Sequence, residues 1–255
     1  MTVPTIDVQA IDPLTHGEAM MLQAHELEAT LVLLRSFDEA EWTKPTDCPG
    51  WDVRAMYQHV LGACEAGASM RENVHQLRRG RALRKEQGIP LEAALSTVQV
   101  ADRARLEPTE IIRRLEAVAP KTVRGRSRTP ALIRDHIHMT VDGPVFETWK
   151  IGYLIDIIYL RDLWMHRVDA ARAAGRPNEL RPEHDGRIVA DVVAEWARRH
   201  ADPFLLDLAG TAGGRFAHDP ETPGAEHLSL DGVEFCRTLA GRSTASGLLS
   251  TVVPF

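Results

Sequence analysis

The sequence predicts a mainly α-helical protein: a four-helix bundle with one long crossover, followed by a small α+β domain. Three observations carry this reading. Apolar residues recur at three-four spacing in several long stretches as far as Ala174. The connection between the second and the last of these stretches is long, which favours a crossover bundle over a simple up-down-up-down one. After Gly175, short apolar runs broken by glycine replace the helical period. The domains expected are residues 1–178 for the bundle and 179–255 for the α+β part.

The elements follow in order. A first helix is expected from about Thr15 to Ser36, with Met20, Ala24, Leu27, Leu31 and Leu34 as its buried stripe. The run from Trp42 to Trp51 holds two prolines and a glycine and reads as a loop. Asp52 is a good N-cap for a second helix running past Met70 towards Arg79. The basic cluster around Arg78, Arg81 and Lys85 reads as a solvated helix end. Leu91–Ala104 reads as a short helix and Pro108–Val118 as a longer one. Lys121–Thr129 reads as a basic loop, and Asp142-Gly143-Pro144 as a turn. One long helix is expected from Trp149 to Ala174, stopped by Gly175 and Pro177. Beyond it, Pro182–His200 is helical, and Phe204–Leu208, Gly214–Ala217 and His227–Leu230 are strand-like. Asp231 caps a last helix ending near Ala240.

Composition narrows the function. The 255 residues are 44% hydrophobic, enough for a real core, and the net charge of -6 argues against a nucleic-acid binder. No apolar run reaches membrane-spanning length, and the polar N-terminus lacks a secretory signal's apolar stretch. Cys48, Cys64 and Cys236 are too few for a disulfide framework. The expectation is a cytoplasmic protein with reduced thiols, as a monomer or homodimer.

Asp162 and His166 are the most informative residues. Four apart on a helix, they share one face with Ile151, Ile155, Ile158 and Met165. A carboxylate and an imidazole in an apolar arc need partners, because burying them unpaired costs several kcal/mol. An ion pair within the helix is one solution, but such pairs often fail to offset their own desolvation. A metal shared with a facing helix is the other. His59 on the second helix, beside Ala55, Gly62, Ala63 and Ala66, is the candidate third ligand; those small residues also suit close helix packing. Three ligands leave a position open, as catalytic zinc sites do. The mixed N and O donors suit Zn²⁺, with Ni²⁺ or Fe²⁺ also compatible.

Asp169 shares the face and is a candidate to orient a ligand, or to pair with an arginine. Tyr159 is a candidate to line a cofactor pocket, or to pack with its hydroxyl wet. Asp135-His136-Ile137-His138 is a competing metal candidate. His16, His25, His75, His184, His200, His218 and His227 read as surface residues. Cys48 and Cys64 do not read as nucleophiles, and no Ser-His-Asp set or phosphate loop is present. A thiol needed by the chemistry must come from outside.

Three stretches carry a family resemblance. The run Pro45-Thr-Asp-Cys-Pro-Gly-Trp-Asp-Val-Arg54 with the His59 that follows resembles the N-terminal domain of mycothiol-dependent maleylpyruvate isomerases, within the DinB/YfiT-like metalloprotein superfamily. The run from Asp162 to Gly175, with Met165-His-Arg-Val-Asp169, is similar to that group's second metal motif. The tail from Gly232 to Arg242 is similar to the C-terminal domain found with it. The resemblance implies a DinB-like four-helix bundle holding a divalent metal, usually zinc, on His59, Asp162 and His166. The family often has Glu where this chain has Asp162. The implied chemistry uses a low-molecular-weight thiol such as mycothiol as cosubstrate. The thiolate adds to an activated double bond of a small acidic or electrophilic substrate; rotation and loss of the thiol give the trans isomer. Thiol S-transfer is the related reaction, and a non-catalytic or regulatory metal-binding protein is the alternative. Arg242 is the candidate catalytic carboxylate clamp, since a guanidinium fork fits a carboxylate.

Overall fold

The computed structural model describes residues 4–142 and 146–255. The chain folds as two compact units. One is residues 15–177; the other joins the described part of the first fourteen residues to residues 178–255.

The first unit is the helical bundle. Helix α1 (His16–Arg35) is capped by the Thr15 hydroxyl, which accepts from the Glu18 N–H at 3.2 Å. Its Met20, Leu27, Leu31 and Leu34 are buried, as the three-four stripe predicts, while Ala24 is exposed. Helix α2 (Val53–Ala68) is capped by Asp52, whose carboxylate accepts from the Ala55 N–H at 2.7 Å. The expected continuation past Met70 is broken. Ser69 is extended (φ −140°, ψ 116°) and caps a separate helix α3 (Met70–Gln87). Helix α4 (Leu91–Arg103) matches the short helix expected there.

Helix α5 (Pro108–Ser127) runs through Pro120, so the basic loop predicted from Lys121 is helical as far as Ser127. Proline removes one N–H and crowds the preceding turn, yet tertiary contacts hold this helix. Thr122 Oγ1 donates to the Cys64 carbonyl at 2.7 Å, and α5 meets α2 at Gly67 and Gly125. A Cβ added at Gly125 would collide with the Gly67 carbonyl oxygen, so the two backbones nearly touch there.

A short helix α6 (Ala131–His136) leads to an antiparallel ribbon of β2 (His138–Val141) and β3 (Glu147–Lys150). The turn predicted at Asp142-Gly143-Pro144 falls mostly outside the described residues. The long helix expected from Trp149 starts at Ile151, as a short turn α7 (Ile151–Tyr153). A π-helical turn (Leu154–Ile158) and then α8 (Tyr159–Ala174) follow. Gly175 ends α8 in the left-handed region (φ 66°), its N–H reaching the Ala171 and Arg172 carbonyls.

Helices α1, α5, α2 and α8 neighbour one another in a closed ring, and α3 and α4 pack outside on α2. This is the four-helix bundle with long connections. Leu27, Leu31, Met56, Tyr57, Leu61, Ile111, Leu115 and Leu163 share its core. A buried fork joins α8 to α1: Arg167 donates to both Glu26 carboxylate oxygens, at 2.5 and 3.0 Å.

The second unit is the small α+β part. Helix α9 (Arg187–His200) follows a π-helical turn at Pro182–Gly186 and buries Ile188, Val192, Val193 and Trp196. The strands are β1 (Thr5–Asp7), β4 (Phe204–Ala209), β5 (Gly214–His218) and β6 (Glu226–Asp231), in sheet order β1-β5-β4-β6. The β4–β5 pair is antiparallel, and β1–β5 and β4–β6 are parallel. Phe204, Leu206 and Leu208 alternate inward along β4. Trp196 meets Phe204 and Phe235 edge to face. Asp231 caps α10 (Gly232–Leu239), accepting from the Val233 N–H at 2.8 Å. Residues 4–14, placed with the bundle on sequence grounds, belong here instead, because β1 takes the open side of β5. Among the described residues, no helix is long and apolar enough to cross a membrane.

Candidate metal centre

The site lies where α2 faces α8. His59 is in the second turn of α2, and Asp162 and His166 are one turn apart on α8. One possible ligand atom from each lies within 4.8 Å of the other two. His166 Nε2 is 3.1 Å from Asp162 Oδ1, and His59 Nε2 is 3.8 Å from Asp162 Oδ2. The imidazoles stand edge to face, 5.3 Å between centroids.

His166 Nε2 is buried and makes no hydrogen bond among the described residues. It is close to the Asp162 carboxylate but out of line with it. His59 Nδ1 is likewise buried without a partner. A cation between the Asp162 carboxylate and the Nε2 atoms of His59 and His166 would satisfy the His166 nitrogen that the protein leaves unsatisfied, and two imidazoles with a carboxylate form a donor set that zinc accepts. The residues therefore fit a divalent metal.

The charges agree with this. Burial alone would push the His166 imidazolium down, but the Asp162 carboxylate outweighs it and holds the group up at about 10. Burial would push Asp162 up, yet His166 and then His59 hold it well below the ordinary carboxylate range. Without a metal, a proton on His166 takes the cation's place beside Asp162.

The loop before α2 closes over the site. The Thr46 N–H and hydroxyl both donate to the Trp51 carbonyl, and the Trp51 N–H donates to the Cys48 carbonyl at 3.1 Å. This places the Trp51 ring 5.1 Å from the His59 ring. It also places Cys48 Sγ 3.8 Å from His166 Nδ1, where its S–H donates to Asp169 Oδ2 at 3.7 Å. Asp169 is fully buried, 4.0 Å from His166 Nδ1. Cys48, His166 and Asp169 thus form a second donor group on the ring's other nitrogen. Sequence reasoning set Cys48 aside; its loop position gave no sign of the chain closing back onto α8.

Tyr159 is half-buried, one turn before Asp162, with its ring over the Arg126 guanidinium at 4.0 Å. Gly62 allows the close packing that the small residues beside His59 suggest: a Cβ there would meet the Gln99 side chain at 2.7 Å. Asp135, His136 and His138 are exposed and form no donor group among the described residues. The helix α6 ends at His136 and His138 opens a strand, so the two rings leave from different elements. His184 is buried and the His200 side chain is 5% exposed, against the surface positions expected for both. His16 is half-buried, its Nδ1 2.7 Å from Asp156 Oδ1. Arg242 is in the second unit, half-buried in the turn after α10, its N–H bonded to the Arg237 carbonyl.

Residues 23–171, which include His59, Asp162 and His166, match the mycothiol maleylpyruvate isomerase N-terminal domain. The chain belongs to this family. The crystal structure of the mycothiol-dependent maleylpyruvate isomerase is similar in fold to this chain, with a TM-score of 0.56 and 16% identity over 96% of this chain and 94% of that one. A histidine-to-alanine mutant of that isomerase has the same score and identity, over 96% of this chain and 93% of its own. No curated protein matches the chain.

Proposed function

We propose that this protein is a divalent-metal-dependent enzyme, with zinc the best fit, that uses a low-molecular-weight thiol of the mycothiol kind. It catalyses maleylpyruvate-isomerase-like cis–trans isomerisation or the related thiol S-transfer. The observation that carries this reading is the convergence of His59, Asp162 and His166, with His166 Nε2 buried and without a hydrogen bond among the described residues. Family membership supports the isomerase chemistry.

A divalent cation held by these three residues would lower the pKa of an incoming thiol and keep it as the thiolate at neutral pH. The protein's own groups do the rest. His59 and His166 offer neutral ring nitrogens, and Asp162 neutralises part of the cation's charge. Trp51 covers His59 and keeps water from that face. Asp169 and Cys48 hold His166 from its Nδ1 side, which fixes the aim of Nε2. The thiolate adds to the double bond of the substrate, and the electron pair moves onto the conjugated carbonyl. Rotation about the new single bond follows. The pair then returns, expels the thiolate and leaves the trans product, so the thiol is regenerated. Tyr159 borders the mouth beside Asp162, and Arg242 is the proposed clamp for a substrate carboxylate.

The test is elemental analysis of the purified protein, combined with an assay of maleylpyruvate conversion with and without mycothiol. About one metal per chain, lost in His166→Ala, and conversion that needs thiol and scales with metal loading, are expected. Metal-free protein from zinc-supplemented medium, or conversion untouched by His166→Ala, would reject the reading.

A further inference from the structure

Arg126, near the end of α5, is 4% exposed. Its Nη1 donates to Gln23 Oε1 at 2.7 Å. Its Nε is sealed from solvent with no partner, and its Nη2 makes no hydrogen bond among the described residues. No carboxylate pairs with it among those residues.

Arg103 and Arg167, also buried in the bundle, differ. Arg103 bonds Glu65 and, at 2.9 Å, Glu72, and Arg167 forks onto Glu26. A guanidinium without an anion is costly to bury, far more so than a paired one. A neutral residue could hold Gln23 and pack under Tyr159 without that penalty.

The place of this charge is specific. Tyr159 covers the guanidinium face and is three residues before Asp162, on the same side of α8. The Tyr159 and Cys64 groups, both pushed up by burial, each feel the Arg126 and Asp162 charges. Gly67 makes the space: a Cβ there would come within 3.2 Å of Arg126 Nε. The Asp162 side chain, 27% exposed, marks the open side.

We propose that Arg126 is the specificity-determining cation of this site, an uncompensated guanidinium that favours a small organic acid by drawing its carboxylate to the Tyr159 side of the metal centre. This rests on the proposed function for the place of the reacting atoms; the unpaired buried charge stands apart from it. The bundle alone then carries a selector for acidic substrates, whatever Arg242 contributes.

The test uses the full-length protein and maleate, a small cis-dicarboxylate, with its neutral diamide as control. Binding is followed by calorimetry, and zinc content is measured on the same samples. Wild type should bind maleate and discriminate against the diamide. Arg126→Gln should keep its zinc and bind maleate at least tenfold more weakly. Gln23→Glu places a carboxylate where Nη1 already bonds, giving up the bond from the Gln23 amide to the Ile155 carbonyl, so it should weaken maleate similarly while Arg126 stays in place. If Arg126→Gln does not fold, Gln23→Glu decides. Wild type that ignores maleate or binds the diamide equally well overturns the inference. So does maleate affinity within twofold of wild type in folded variants. Loss of zinc from wild type would instead strike the proposed function, and maleate binding to that zinc-free protein would still decide the role of Arg126.

Discussion

The rings of His59 and His166 meet at 81°, their centroids 5.3 Å apart, although the two residues are 107 apart in sequence. Each ring brings a nitrogen towards Asp162. Single replacements should therefore act alike. His59→Ala and His166→Ala should each lose bound zinc, measured by elemental analysis. Chelation of wild type should lower its melting temperature, since a ligand at a hundred times its Kd stabilises by about 2.7 kcal/mol. The two variants should show no such shift.

Asp162→Asn keeps the shape of the side chain and removes its charge. That charge would offset a bound cation, and without one it holds the His166 proton up at about 10. Zinc affinity should fall by more than the roughly 10–100-fold typical of an outer partner. A competition titration against a chromogenic chelator reads this directly.

The two donor groups that share His166 separate by mutation. Asp169→Asn and Cys48→Ser act on the Nδ1 side of His166 and leave its Nε2 in place. Both should retain a full equivalent of zinc, with affinity reduced by roughly 10–100-fold at most. If the Cys48 variant lost its metal while His59→Ala kept it, the cation would belong on the Nδ1 side instead.

Gly125→Ala tests the meeting of α2 and α5. The new methyl group would press on the Gly67 carbonyl, which is backbone and cannot swing aside. Overpacking of this kind costs about 1–3 kcal/mol. Urea denaturation should show it as a lower midpoint. Gly88→Ala, at φ 67° with open space around it, should lose only the strain of a left-handed alanine.

His200 gives a pH signature to the second unit. Burial against Trp196 pushes its imidazolium below the ordinary 6.5, more than Asp202 raises it. The folded state thus holds its proton less well than the unfolded chain. Stability is unaffected by this group above about 6.5 and falls as the pH drops below it, until the folded-state value is passed. His200→Phe should flatten that part of the thermal stability profile, below about pH 6.5.

Much of the bundle was legible because its signals are local. Thr15 and Asp52 cap where their side chains predict, and the α1 stripe is buried except at Ala24. The break at Ser69 had a signal too: Ser69-Met-Arg-Glu72 has the capping-box spacing, and Ser69 Oγ accepts from the Glu72 N–H at 3.4 Å. Pro120 misled in the other direction, because what holds α5 beyond it is contact with α2, invisible to a local rule. The His59, Asp162 and His166 set was legible because two members are a turn apart on one apolar face. Cys48 was not, since its approach to His166 depends on hydrogen bonds that close the Thr46–Trp51 loop. Three exposed residues, Thr5–Asp7, carry no alternation that would mark a strand.

That small strand has a consequence for biosynthesis. Ile6 aligns with Phe216, so a strand made before the bundle must wait for a neighbour made after it. The bundle is, in topological terms, a passenger inserted between the two, free to fold while the sheet is still incomplete. Removing the residues before Thr15 would spare the passenger but strip β5 of its cover, exposing a raw edge prone to pairing with other chains.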